Sequence, residues 1–386
     1  MVDLSRVEAT IERAEPEIGL PPPDAVPRAP DVDEAVGLEP GVATLRREGW
    51  LRAALPVTTG GSGLGTSAEP DVVRRTCDVL RALGRGDLAL ARLFEGHLNA
   101  VKLVALNGHP ELIRETFQDV TGGSLLGVWG AVGARPLAVV RRGASHWTLG
   151  GEKVFASGLG LVDRAVVTVS DPDVPSASRL LLVDVDDAAR QHPEDWRASG
   201  MCATRSGRYC FDGIELPRSR VLGGPGVYER EPWFEGGTWR YVAAHVGAME
   251  GLADAMVAEL VARERADDPH QSARIGRAAA LAVGARALVE RAAFEVESCD
   301  PGDVDATRRA VTLALLARES VEDGAVSLLG IVERALGMAA FARGHPIERR
   351  RRDLGLYLRQ AAPDAKLARA AVAIAADGKR GIGRLW

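Results

Sequence analysis

The feature that most restricts what this chain can become is a hydrophobic period that changes twice along its length. Between Asp71 and Phe117 the segments read as helices, with Pro70 and Asp71 opening one and Asn107-Gly108-His109-Pro110 turning between the last two. From Leu125 the runs become short, apolar or alternating: Leu125 to Val132, Leu137 to Arg141, His146 to Leu149, Val154 to Ala156, Ala165 to Ser170, Leu180 to Val185 and Arg208 to Leu216. Gly, Pro and Asp punctuate them, which predicts strands. Gly150-Gly151 predicts a hairpin turn, because both positions tolerate positive φ, and connections this short predict antiparallel pairing.

From Trp239 the period is helical again. Val242, Val246, Met249, Ala253, Met256 and Leu260 fall at alternating steps of four and three residues and line one face, the pattern of a bundle seam. Further helices are predicted over 272–298, from an Asp305 cap to Gly337, and from an Asp364 cap to Gly378. An amphipathic helix over 3–18 and an irregular, Pro-rich and acidic connector over 20–42 precede all of this. The expected fold is α+β and multidomain. It comprises an N-terminal helical domain (1–122), a small antiparallel β-barrel domain (123–228) and a C-terminal four-helix bundle (229–386).

Composition narrows the function classes. With 46% hydrophobic and 26% charged residues over 386 positions, the chain has material for several packed sub-domains and a deep pocket. A net charge of −5 provides no field for nucleic acid or anionic lipid. The one dense basic run, Arg349 to Arg352, reads as a solvated or ion-paired helix end. Cys77, Cys202, Cys210 and Cys299 are too sparse for a disulfide framework and read as reduced thiols. The first residues lack a signal-peptide core, and no run of about 18 apolar residues appears, so the expectation is a cytoplasmic protein with no membrane and no nucleic-acid partner.

Helices, then a small β-domain, then a helical bundle is the order of the acyl-CoA dehydrogenase family, and five local patterns resemble that family in sequence order. They are LRREGWLRAALPVTTGGSGLG (45–65), GGEKVFASG (150–158), SGMCATRSGRYCFDGIELP (199–217), FEGGTWRYVAAHVG (234–247) and HPIERRRRD (345–353). The resemblance covers residues 43–376 and implies FAD as cofactor. Phe155 would offer an apolar face to the flavin ring and Ser157 a hydroxyl to its heteroatoms. Trp129, in GVWGAVGA (127–134), stands where the family has its flavin-contacting Thr-Glu-Pro strand end, so backbone N–H groups would make that contact here. Arg263 falls, by register, on the family's pyrophosphate-binding arginine. Arg334 and Gly337 fall on positions that meet the adenosine half of a neighbouring subunit's FAD, which implies a homodimer or homotetramer, and Gln271 keeps, by resemblance, the glutamine of the family's Phe-Gly…His-Gln pattern as a cofactor-binding position.

Dehydrogenation of an acyl thioester needs a carboxylate to take the α-proton. By register the family's two positions for that base carry Gly237 and Ala361, and neither residue can accept a proton. Glu235 is the candidate displaced base, Arg240 the candidate substrate-binding residue, and Asp364 reads as a helix cap. His97 and His245 read as packing residues. Three readings follow. One is an FAD-dependent oxidoreductase acting on an acyl thioester or related small molecule. Another is a flavin-dependent monooxygenase on the same fold, supplied by an electron-transfer partner or reductase. The third is a catalytically silent paralogue that binds a partner.

Overall fold

The computed structural model describes residues 37–386 except 171–173, 175, 176, 361, 379–381, 385 and 386. The predicted helix over 3–18, nearly all of the 20–42 connector, and Ala361 lie outside the described residues.

The first described helix is α1 (Glu39–Arg47), which starts four residues before the expected resumption at Ala43, because Pro40 fits the first helical turn. A short α2 (Trp50–Ala53) follows, then α3 (Pro70–Gly86), α4 (Leu88–Asn107) and α5 (Pro110–Thr121). Asp87 closes α3 and starts α4, its carboxylate accepting the Ala89 and Leu90 N–H groups.

Among the described residues ten strands come next: β1 (Leu126–Trp129), β2 (Ala138–Arg142), β3 (His146–Gly150), β4 (Glu152–Ala156), β5 (Arg164–Ser170), β6 (Ser178–Asp184), β7 (Gln191–His192), β8 (Gly207–Cys210), β9 (Glu215–Pro217) and β10 (Val221–Leu222). They form three sheets, in the orders β1-β5-β6-β10, β2-β3-β9 and β4-β8-β7. Two expectations need correction. β1 and β5 pair in parallel, from Leu126 opposite Arg164 to Trp129 opposite Val167, and all other pairs are antiparallel. The intervening strands form a long enough crossover to bring β5 back in the same direction. Gly150-Gly151 is not a hairpin turn, since β3 pairs with β2 and β9 while β4 pairs with β8. It is a corner between sheets: Gly151 has φ +102°, and a Cβ there would lie 2.3 Å from the Pro136 carbonyl oxygen.

The C-terminal half is α6 (Trp239–Ala262), α7 (Pro269–Glu297), α8 (Val304–Leu336), α9 (Pro346–Tyr357) and α10 (Pro363–Ala376). The caps differ from expectation. Asp303, not Asp305, accepts the Ala306 N–H at the start of α8, and Asp364 lies inside the first turn of α10 behind Ala362. α8 with the turn after it (Val304–Phe341) is long and apolar enough to cross a bilayer by length and composition. Here it packs among α6, α7 and α10 and carries the buried Arg318–Glu322 ion pair.

α3 and α6 pack backbone against backbone. A Cβ on Gly84 would lie 2.2 Å from the Ala244 carbonyl oxygen, one on Gly247 2.0 Å from that of Arg81, and one on Gly251 2.5 Å from that of Arg85. The two backbones touch, and the ion pairs Arg81–Glu250 and Arg85–Asp254 close the sides. With α4, α7, α8 and α9 packed on its other sides, every residue of α6 from Trp239 to Met249 is buried, well beyond the one-faced seam that the periodicity predicts. Arg349 to Arg352 are likewise engaged. Arg349 pairs with Asp87, Arg351 with Glu333 and Arg352 with Glu348, while Arg350 donates to the Arg85 carbonyl. None of the four cysteines forms a disulfide.

Candidate functional site

On the strand side, β1 ends at Trp129, which is buried. Its indole N–H donates to the Ser157 carbonyl at 3.1 Å, and its ring lies 5.5 Å from that of Tyr209. Trp129 therefore fastens the end of β1 to the end of β4. Behind it, buried Lys153 donates to the Gly130 carbonyl at 3.1 Å and to Thr168 Oγ1 at 2.8 Å. Burial pushes the Lys153 ammonium down to about 8. Phe155 has φ 53° and is 62% exposed, with its ring edge-on to Trp196 at 5.9 Å. A left-handed backbone is unfavourable for an aromatic residue, and it turns this ring outward. The Ser157 hydroxyl accepts from Ser206 at 2.8 Å, and Ser206 lies 2.6 Å from Thr204 Oγ1.

The helical side is built on α4. Arg92 donates to Glu95 Oε2 at 2.7 Å, and the Asn99 amide donates to Glu95 Oε1. Gly96 leaves room for the guanidinium, since a Cβ there would be 3.0 Å from Arg92 Nη1. This turn and the loop after β10 each abut the strand side. A Cβ on Gly158 would be 3.0 Å from Leu93 Cδ2, and one on Gly130 would be 3.3 Å from the Tyr228 hydroxyl. Tyr228 in turn feels the charges of Glu95, Arg92 and Glu235, and burial pushes its hydroxyl up to about 12.

Tyr241 and His245 on α6 and Tyr357 at the end of α9 complete this wall. His245 lies 4.6 Å from Tyr357 and 5.5 Å from Tyr241, ring centre to ring centre. Burial, reinforced by Arg318, holds His245 down at about 3, so the imidazole is neutral. His97 is different. Its Nδ1 accepts the Leu126 N–H at 3.0 Å, so Nε2 carries the proton and donates to the Leu51 carbonyl at 3.0 Å. It is a fixed link from α4 to α2 and β1.

The remaining sequence candidates fall in two places. At the start of α6, Glu235 is paired with Lys366 and faces Arg369, and Gly237 adjoins Arg240. Arg240 is buried, paired with Glu297 and stacked on Trp239, while Lys102 holds the other carboxylate oxygen. Arg263, Gln271, Arg334 and Gly337 gather at the opposite end of the bundle. There Arg263 pairs with Glu259. Gln271, 1% exposed, donates to the Ala335 carbonyl and accepts from Arg274. Arg334 is exposed beside Gly337, whose φ is +62°.

Sequence reasoning missed Arg92, Glu95, Tyr228, Tyr241 and Tyr357. One signal was present: two charges and an asparagine at i, i+3 and i+7 inside a helix otherwise apolar enough to be buried almost all round. Among the described residues no group of three His, Cys, Asp or Glu is placed to hold a metal ion.

No protein-family model and no curated protein matches the chain by sequence. Solved structures do match by shape. The dibenzothiophene monooxygenase TdsC from Paenibacillus sp. A11-2 superposes with a TM-score of 0.73 at 22% identity, covering 87% of this chain and 89% of that one. Methanesulfinate monooxygenase MsuC from Pseudomonas fluorescens gives 0.75 at 19% identity, over 86% and 88%. KijD3, solved with FMN and a dTDP-linked amino-keto sugar, gives 0.74 at 20% identity, over 91% and 90%. At this identity the likeness establishes architecture, and the chain has the acyl-CoA dehydrogenase-like fold.

Proposed function

We propose that the protein is a flavin-dependent monooxygenase acting on a small organic substrate. The observation that carries this reading is the state of the acidic positions. Position 237 is a glycine, position 361 is an alanine in the sequence, and Glu235 is held in an ion pair with Lys366. A dehydrogenase needs a free carboxylate there, whereas oxygen transfer from a reduced flavin does not. The names of TdsC and MsuC, both monooxygenases on this fold, support the same reading.

The residues fit a flavin. The outward Phe155 ring offers an apolar face, the Ser206–Ser157 hydroxyl pair offers a donor, and the Gly130 backbone is fixed from behind by Lys153. Bound and reduced, the flavin supplies two electrons to dioxygen, so that one oxygen atom enters the substrate and the other leaves as water. Trp129 holds the two strand ends together, and the paired Arg92 and Glu95 keep the floor polar yet balanced in charge. FMN suits the chain better than FAD, because the Gln271 amide, expected to bind the larger cofactor, is buried and engaged within its own bundle. FMN is also the flavin in the TdsC and KijD3 structures. A second protomer packed over Arg334, Gly337 and exposed Met338 would complete the cofactor's phosphate end.

The test is to titrate the purified protein with FMN and FAD, follow visible absorption, and then supply NADH, a flavin reductase and oxygen. Tighter FMN binding and a substrate-derived product heavier by one oxygen support the reading. Bleaching of bound flavin by an acyl thioester without oxygen would instead mark a dehydrogenase, and a protein that takes up neither flavin would be the silent paralogue.

A further inference from the structure

Tyr241, His245 and Tyr357 form one cluster of touching rings, each at most 6% exposed; His245 Nε2 and the Tyr357 hydroxyl lack a hydrogen-bond partner, and the Tyr241 hydroxyl meets only the Arg318 guanidinium. An unmet buried polar atom loses its hydration without recompense, so two on adjoining rings form an unfavourable arrangement for packing alone. Phenylalanine and leucine would fill the same space without that penalty. Tyr209 has a lone unpartnered hydroxyl in the β-domain core. What sets the cluster apart is convergence. Glu95 lies within electrostatic reach of Tyr228, Tyr241 and Tyr357 alike, so these hydroxyls end in one region, and Tyr228 joins that region to Gly130 at the strand end.

From this we infer that Tyr241, His245 and Tyr357 are the seat for an uncharged, hydrogen-bonding group of the substrate, such as a carbonyl, amide, alcohol or sulfur oxide. The balance of charge selects the class. Arg92 is matched by Glu95, and Arg318 with Arg359 by Glu319 and Glu322. Among the described residues, each charge beside the cluster is matched by one of opposite sign, which leaves no net charge to draw a carboxylate or an amine. The hydroxyls stay protonated, because burial pushes both tyrosines up, and the neutral imidazole can donate or accept. The inference deepens the proposed reaction by naming what its substrate carries at the end held by α6 and α9.

Three probes of similar shape test it by calorimetry: benzamide, benzoate and toluene, with the protein both free of flavin and loaded with FMN. The expected result is at least tenfold tighter binding of benzamide than of the other two. Tyr357→Phe and Tyr241→Phe should each weaken benzamide five- to tenfold while leaving Tm unchanged or higher. Tyr209→Phe should leave probe affinity unchanged. Equal binding of the three probes, no binding of benzamide, or a Tyr357→Phe protein that loses Tm with probe affinity intact would overturn the seat. Failure to bind flavin would count against the proposed reaction alone, because the probe preference is read without it.

Discussion

The ammonium of Lys366 sits 2.5 Å from Glu235 Oε2, and Arg369 faces the other oxygen at 3.7 Å. A carboxylate held in this way ties α10 to the loop before α6. Glu235→Gln should lower stability by about 1–3 kcal/mol, the usual loss when one partner of a mostly buried charged hydrogen bond is removed. Substrate turnover should fall less than tenfold. Thermal melts and turnover measured on the same preparation check this, and a loss of activity greater than a hundredfold with Tm intact would return Glu235 to the role of base.

Phe155 adopts a backbone conformation suited to glycine, at φ 53°. Phe155→Gly should relieve about 1–2 kcal/mol of strain, offset in part by the added freedom of the unfolded chain. The substitution also removes the exposed ring. We expect Tm to hold or rise while flavin affinity drops at least tenfold, read by absorbance titration. A fall in Tm with affinity unchanged would make the ring a packing element.

His97 carries a pH dependence with a definite sign. Burial holds its imidazole at about 4, below the ordinary histidine value of about 6.5. Below about pH 6.5 the unfolded chain takes up a proton that the folded chain refuses, so stability is complete above that pH and is lost as pH falls toward 4. His245, held lower still, acts in the same direction. Urea midpoints should therefore decline from pH 7 to pH 5. His97→Gln should lower the midpoint at pH 7 and shrink that decline.

The contact between α3 and α6 predicts an extreme response to one methyl group. Gly247→Ala would place a Cβ 2.0 Å from a backbone oxygen, and the helices would have to part. We expect loss of more than about 4 kcal/mol or no soluble protein. Gly276→Ala, in α7 with nothing within 4 Å, is the matched control and should stabilise by about 0.5–1 kcal/mol. Similar melting curves for both variants would contradict the contact.

Periodicity and turn residues made the large divisions of this fold legible, because a change from period 3.6 to period 2 survives in any sequence that buries one face of each element. The corner at Gly151 was not legible, since a pair of glycines permits a hairpin and a change of sheet equally well. The parallel β1–β5 pair was missed because it joins strands separated by three others. At the candidate site, Phe155 and Ser157 were accessible through one short pattern. Arg92, Glu95, Tyr228, Tyr241 and Tyr357 come from four distant segments, and each looks like an ordinary residue of its own segment until the chain is folded. Asp303 was passed over for Asp305 because both are good caps two residues apart.

The glycine contact between α3 and α6 also determines which half of the molecule can yield. Helices separated by side chains can give way by changing rotamers, but two backbones in direct touch have no such compliance. The frame that carries Tyr241 and His245 is therefore stiff along its length. The strand side is built differently: there the Phe155 ring stands outward, and side chains rather than backbones form the surface that meets a ligand.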